Sequence, residues 1–329
     1  MTDLISPPHA RPGAGTGGAH SDHPGTAAER SHAEISMGDP GSPDRPATGG
    51  APSTGRRLLS ASFGQPTLLA AWIWIAVVLV AALAPQWFTS FDPLQQDAYS
   101  RFLPPSAEHP FGTDDYGRDQ FARTVHGTSE SLQAAVVAVL IGLVFGSLIG
   151  LIGGALRGAV DTILMRVIDV MLAVPSLIIA LAIVTALGRG TINIAIAIGI
   201  TSVATFARLM RSEVLRVRGL PYVEASAFAG HGAAYRLLRH IVPNASGSVL
   251  AAATLEIGTA ILGVAALSFL GFGAPPPTPE WGALVAGGRS FLTVQWWLST
   301  LPGIVIVVSV LAVYRIGRSM NKGRTSVVG

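Results

Sequence analysis

Six apolar stretches decide what this 329-residue chain can become. Hydrocarbon offers backbone N–H and C=O groups no partner, so a spanning segment is a helix of about 20 mainly apolar residues. Stretches at 67–84, 132–153, 167–187, 191–210, 247–271 and 297–314 meet that condition. The expectation is an all-α polytopic membrane protein with six transmembrane helices. Composition agrees, with 50% of residues hydrophobic and 12% charged, far from the balance of a soluble domain. Cysteine is absent, which excludes disulfides and thiolate metal sites.

Loop charge sets the orientation, because Lys and Arg concentrate on the cytoplasmic side. Arg56 and Arg57 precede the first stretch and place the N-terminus in the cytoplasm. Residues 85–131 then fall outside, where Asp92, Asp97, Glu108, Asp114, Asp115, Asp119 and Glu130 outnumber Arg101, Arg118 and Arg123. Residues 211–246 fall inside with Arg211, Arg216, Arg218, Arg236 and Arg239, and 272–296 fall outside. The tail at 315–329, with Arg315, Arg318, Lys322 and Arg324, is expected to be a short solvated cytoplasmic segment. The net charge of +3 therefore reads as orientation, not as nucleic-acid binding. Residues 1–55 are rich in Pro, Gly, Ser, Ala and His and poor in large apolar side chains, so a disordered cytoplasmic tail is expected there, without a signal-peptide pattern. A basic juxtamembrane segment follows at 56–66. His20 and His23 read as solvated tail histidines and not as metal ligands.

Several functions are excluded by what is missing. Lys322 is the sole lysine and lies outside any GxxxxGK[ST] pattern, so the chain has no P-loop and any ATP-driven work belongs to a partner. Neither GxSxG nor HExxH occurs, and no enzyme activity is expected. A carrier driven by an ion gradient would need several ionisable residues near the midplane and inverted repeats. Glu256 alone lies deep in an apolar stretch. A charge left in hydrocarbon costs on the order of 3 kcal/mol, so Glu256 is expected to face the protein interior, a cavity or a partner.

The stretch at 220–244 is polar and basic between apolar segments, yet strongly patterned. Pro221 suits the first turn of a helix and Gly230 the turn that ends one, which predicts a short helix over 221–229. Beyond it, Ala234, Leu237, Leu238 and Ile241 recur at i, i+3, i+4 and i+7 with Arg236, Arg239 and His240 between them. That spacing predicts a second, amphipathic helix stopped by Pro243. Two short helices with an apolar face and a basic rim make a knob that fits a cleft on another protein.

Glu224, Ala225, Ser226, Gly230, His240, Ile241, Pro243 and Asn244 resemble, in kind and spacing, the EAA loop of ABC importer permeases, with Ser226 where the third motif residue is usually Ala. The segment HPFGTDDYGRD at 109–119 resembles the HxFGTDxxGRD run of the dipeptide, oligopeptide and nickel branch, more particularly of its second permease subunit. DVMLAVPS at 169–176 and PPTPEWG at 276–282 resemble two further family segments. A departure lies before Ala266: relatives commonly carry an acidic residue there, and this chain has Val264 and Ala265. Its C-terminus also lacks the acidic residues of many relatives.

The resemblance covers roughly 67–314 and implies a type I ABC importer transmembrane domain. It implies a role as half of a translocation pathway for di- or oligopeptides, with nickel or another small solute as the alternative cargo. The implied partners are a second, homologous permease, two ABC ATPase subunits that bind the ATP and Mg, an extracellular substrate-binding protein and the lipid bilayer. Localisation would be the bacterial cytoplasmic membrane. By the same resemblance, the helix at 221–229 is a coupling lever. Glu224 would hold its internal hydrogen bonds, Ala225 keep its packed face small, Gly230 permit the turn, Ile241 anchor the second helix and Pro243 fix the exit. Gly112, Asp114, Gly117, Arg118 and Asp119 form either a rigid elbow or a docking surface. Pro279, Glu280 and Trp281 form either an external gate or docking surface, or an anchor with Trp281 at the membrane interface. Pro175 is expected to kink the third span, and that span either lines the pathway or packs.

Overall fold

The computed structural model describes residues 66–325, and side chains for 66–320. The expected N-terminal tail, Arg56, Arg57, His20, His23 and the last four residues lie outside the described residues. Within them the chain is helical; the one antiparallel bridge pairs Thr113 with Asp119. The helices are α1 (Pro66–Leu83), α2 (Gln120–Leu156), α3 (Gly158–Ala173), α4 (Ser176–Leu187), α5 (Thr191–Arg218), α6 (Pro221–Phe228), α7 (Ala233–Arg236), α8 (Val242–Leu267), α9 (Trp281–Gly288) and α10 (Trp297–Thr325).

Packing starts from α2 and α5. Gly142, Gly146, Gly150 and Gly154 recur every fourth residue and form one stripe along α2. A Cβ on Gly142 would lie 2.6 Å from Ser202 Cβ, on Gly146 2.6 Å from the carbonyl oxygen of Val203, and on Gly154 2.7 Å from Val214. At Gly150 it would run into the carbonyl oxygen of Ala207. Lipid provides no hydrophobic drive between helices, so small residues that bring backbones together supply the contact. The paired numbers rise together, 142 with 202 and 154 with 214, so α2 and α5 run parallel.

Two parallel spans need a return crossing between them, and α3 with α4 provides it. Asp161 near the start of α3 binds Arg211 near the end of α5 at 2.5 Å, and Asp169 binds Arg208 at 2.7 Å. Ile168 packs on Ala204 and Ala207, while Ala180 and Val184 of α4 join the main core. The pair climbs antiparallel to α5, bent by 93° between its halves. A re-entrant loop would return to its own side; this segment crosses, giving six spans. The expected single kinked helix at 167–187 is corrected to two helices. Val174, ahead of proline, is extended at φ −101°, ψ 136°, as the clash with the proline ring demands. Pro175 caps α4, its carbonyl accepting from the Ile178 amide at 2.9 Å.

The remaining spans alternate. On α8, Glu256 meets Ser202 and Gly263 faces Ile198, so α8 is antiparallel to α5. On α10, Gly317 faces Leu255 and Val310 faces Gly258, so α10 is antiparallel to α8. Trp74 Nε1 donates to Ser309 Oγ at 3.0 Å and Arg315 Nε to Thr67 Oγ1 at 3.2 Å, setting α1 antiparallel to α10. The Pro66 end of α1 and the Arg315 end of α10 thus share one face with the α5–α6 corner, the basic face. The 109–119 segment marks the opposite, elbow face.

Three helices outrun the apolar stretches. At 37 residues, α2 is about 55 Å long against about 30 Å of hydrocarbon, and it begins at Gln120, not 132. Helix α5 continues to Arg218 and α10 to Thr325, so residues 211–218 and 315–325 are helix where loop and tail are expected. Polar residues end an apolar pattern without ending a helix.

Inserting a side chain into the glycine stripe tests this packing. Gly146→Leu is expected to force α2 and α5 apart and to cost at least 1–3 kcal/mol, the usual penalty for overpacking. Its thermal unfolding midpoint in detergent should fall clearly, while Gly287→Ala, where the new Cβ meets nothing within 4 Å, should leave it unchanged.

Candidate functional site

On the basic face, α6 begins with Pro221 at its first turn and ends where Gly230 turns at φ +86°. Ser226 accepts the His231 amide at its carbonyl, 3.2 Å, closing the turn, and its buried hydroxyl has no partner among the described residues. The His231 ring stacks on Tyr235 at 4.4 Å, and His240 meets both Tyr222 and Tyr235 edge-on. Val223 and Ile241 fasten the knob to the core at 3% and 5% exposure. Outward it presents Phe228, 92% exposed, with Leu238 at 68%.

Three expectations about this knob need correction. The Glu224 carboxylate is exposed and makes no hydrogen bond among the described residues, so it does not hold the knob together; the helix is closed by backbone and by Pro221 instead. Ala225 is exposed and keeps no packed face small within this chain. Pro243 does not stop the second helix. After one turn, α7 widens into a π turn at Leu237–Ile241 and runs directly into α8, with Pro243 in its first turn. The wider turn, with the Val242 amide reaching back to the Leu237 carbonyl, takes the proline ring without breaking the rod.

On the elbow face, Asp114 organises 109–119. Its Oδ1 accepts the amides of Tyr116 (2.9 Å) and Arg118 (3.0 Å), and its Oδ2 takes Arg118 Nε at 2.7 Å. Gly112 and Gly117 supply φ of +69° and +72°, and a Cβ on Gly117 would collide with the Asp97 carbonyl. Asp119 caps α2 through the Ala122 amide and pairs with His109 at 2.7 Å. Nearby, the Ser100 hydroxyl and then the Tyr99 amide hold the Asp97 carboxyl below its usual range. Because that value is depressed on folding, its support for the loop is present at neutral pH and fades as pH falls through it.

The 276–282 segment plugs into the same face. Glu280 is fully buried, its Oε1 accepting from Gly282 N and Ser131 Oγ and its Oε2 from Ala283 N, each at 3.0 Å. Trp281 is 1% exposed and donates Nε1–H to the Thr124 carbonyl. Of the two readings open for this segment, a Trp281 side chain set at the membrane interface does not fit that burial. Pro279 is buried against α2 where Gly127 has no side chain. Arg123, 6% exposed, joins the segments by donating to the carbonyls of Pro93 (3.0 Å) and Pro277 (3.5 Å).

Elsewhere, Pro175 is exposed at the α3–α4 break. Glu256 accepts from Ser202 Oγ at 2.7 Å and so faces protein. Residues unremarked in the sequence do much of this work. Pro302 inside α10 cannot donate to the Leu298 carbonyl four residues back; the buried Gln120 Nε2 fills that acceptor at 2.9 Å. No sequence signal links residues 178 positions apart. The glycine stripe, by contrast, was readable as a small-xxx-small repeat.

Removing the buried cap tests the elbow face. Glu280→Ala would orphan two backbone amides and the Ser131 hydroxyl, each costing about 1–3 kcal/mol. The unfolding midpoint should drop and a protease should gain access to 274–280, whereas an unchanged midpoint would mean the segment is held by other contacts.

Comparison with known proteins places this architecture. Residues 132–325 match the family described as binding-protein-dependent transport system inner membrane component. The probable D,D-dipeptide transport system permease protein DdpC of Escherichia coli is 38% identical over 78% of this chain and 86% of its own length. The di/tripeptide transport system permease protein DppC of Pseudomonas aeruginosa is 39% identical, over 76% and 84%. Among solved structures, the inward-facing MetNI methionine ABC transporter overlaps 60% of this chain and 96% of its own, at 17% identity and a TM-score of 0.49. The matched residues and the two permeases at 38% and 39% identity agree with the packed spans: the chain belongs to the binding-protein-dependent transport system inner membrane component family, as a multi-pass ABC transporter permease.

Proposed function

We propose that this permease forms half of the translocation pathway of an ATP-driven importer of di- or oligopeptides. The cargo class rests on the dipeptide and di/tripeptide permeases to which the chain is similar. A second, homologous permease supplies the other half, two ATPase subunits bind ATP and Mg on the basic face, and a binding protein delivers cargo to the elbow face. That assignment puts the Pro66 and Arg315 ends in the cytoplasm, in keeping with the arginines there.

The observation that carries the coupling assignment is the exposed α6–α7 knob. Its Phe228 projects nearly free of the chain, while Val223 and Ile241 fix its base in the core. Because α7 continues through the π turn into α8, movement of the knob is transmitted to a span as a rod. Closure of the ATPase pair on ATP then rocks the spans between two accessibilities. The chain performs no chemistry of its own.

Copurification from the native membrane, followed by ATPase and transport assays in vesicles, tests this. Phe228→Ala should weaken ATPase docking by about 2 kcal/mol, the value of an interface anchor, or roughly thirtyfold. Gly230→Val, strained at positive φ, should keep the subunits together but uncouple hydrolysis from transport. Recovery of the chain without ATPase subunits, or full coupling in both variants, would contradict the assignment.

A further inference from the structure

Most spans turn large apolar side chains outward, as lipid demands. Helix α2 exposes Leu140, Val144, Phe145 and Leu148, and α10 exposes Ile304, Val307 and Leu311. Helix α5 departs from this pattern. Thr201, Thr205, Arg208 and Ser212 are spaced four, three and four residues apart and so share one face, and the last three are exposed. That face lies between two neighbours already placed. Ser202 beside it meets Glu256 of α8, and Arg208 itself reaches Asp169 of α3. The Thr205 hydroxyl has no partner among the described residues.

Helix α8 continues the polar surface. Thr259, three residues beyond Glu256 and on the same side, is exposed, and its hydroxyl has no partner among the described residues either. The large exposed residues of α8, Leu250 and Leu262, stand about 120° to either side of Glu256. The apolar outer surface is therefore interrupted along the α5–α8 seam.

Glu256 sits in the middle of this seam and at mid-depth of the two spans. Ser202 is eleven residues from the Thr191 start of α5, and Glu256 is eleven from the Leu267 end of α8. Eleven residues rise about 16 Å, half of the roughly 30 Å of hydrocarbon. Oε1 accepts from Ser202 Oγ at 2.7 Å, while Oε2 accepts no bond and no cation pairs with it among the described residues. A carboxylate half-satisfied at that depth is costly against lipid. It calls for water or a cationic ligand. A divalent metal ion would need more donors, and no group of three His, Asp or Glu is gathered among the described residues. An ammonium needs only one carboxylate, with hydroxyls to take the amide groups attached to it.

We infer that the α5–α8 seam lines the translocation pathway and that Glu256, through Oε2, takes the free amino terminus of a peptide at mid-membrane. Thr205 and Thr259 stand beside it for the peptide's backbone groups. The inference rests on the proposed peptide cargo and deepens it by naming the residues that touch that cargo.

The test uses the full chain, free of cysteine, in its native assembly in permeabilised cells. Thr205→Cys and Thr259→Cys should react with a charged methanethiosulfonate, which travels in water, and Leu140→Cys on the lipid face should not. A dipeptide with a free amino terminus should slow the reaction at position 259; the N-acetylated dipeptide should not. Adding Glu256→Gln, which keeps the shape and the acceptor for Ser202, should raise the dipeptide concentration for half-protection roughly tenfold, equivalent to about 1.4 kcal/mol. Glu256→Asp should restore part of the protection. Unreactive thiols at 205 and 259, as at a dry contact with a second permease, would overturn the inference. Equal protection by the two dipeptides, or undiminished protection in Glu256→Gln, would do the same. Dipeptide uptake is measured in parallel in intact cells. Absence of protection with uptake intact overturns the Glu256 contact alone, whereas absence of uptake in wild type overturns the importer reading and the contact with it.

Discussion

Contact between α2 and α5 at backbone distance is the interaction on which the rest of the structure depends. Apolar side chains gain nothing from meeting each other when lipid is the alternative, so association requires close, shape-matched contact. The stripe of Gly142, Gly146, Gly150 and Gly154 provides it, with Phe206 and Val214 of α5 fitted against the bared helix. Parallel alignment of these two spans forces the intervening chain to recross the membrane. That is why α3 and α4 form one broken span and why the broken span binds α5 through Asp161 and Asp169.

Polar groups inside this protein act as fasteners wherever the helices leave backbone groups open. Gln120 fills the carbonyl that Pro302 cannot, and Glu280 caps α9 while holding Ser131 of α2. Arg123 joins two loops through their carbonyls. Gln120 and Glu280 are satisfied in place, as low dielectric requires, while Arg123 Nε makes no hydrogen bond and lies 3.7 Å from Asp114 Oδ2. The elbow face is consequently a built surface, in which loops are locked to helix ends. The basic face differs, since its knob is anchored at the base by Val223 and Ile241 and exposed at the tip at Phe228.

How far the sequence spoke can be judged residue by residue. The six crossings were legible because hydrocarbon thickness imposes a length on every span. Pro221, Gly230, Gly112 and Gly117 announced their turns because few other residues take those backbone angles. Helix ends were not legible where polar residues carry a helix into water, as at Gln120 and Arg218. Pro175 and Pro243 show why proline alone is ambiguous. One sits at a right-angled break; the other lies inside a continuous rod, because a π turn absorbs its ring. For Trp281 the sequence left a gate or docking surface and an interfacial anchor open, and its burial was not legible, since only the fold brings α2 over it. Glu224, the most suggestive residue of the knob, is exposed and makes no hydrogen bond among the described residues, and Phe228 is 92% exposed, so the fold of the single chain gives neither side chain an internal role.

Side-specific thiol labelling tests the crossing scheme most directly, and the chain's lack of cysteine makes it clean. Tyr99→Cys on the elbow face and Arg189→Cys between α4 and α5 should react with a membrane-impermeant reagent in intact cells. Gly158→Cys at the α2–α3 corner and Phe228→Cys on the knob should react only after permeabilisation. Labelling of positions 158 and 189 from the same side would show that α3 and α4 do not cross, and the parallel packing of α2 and α5 would be wrong.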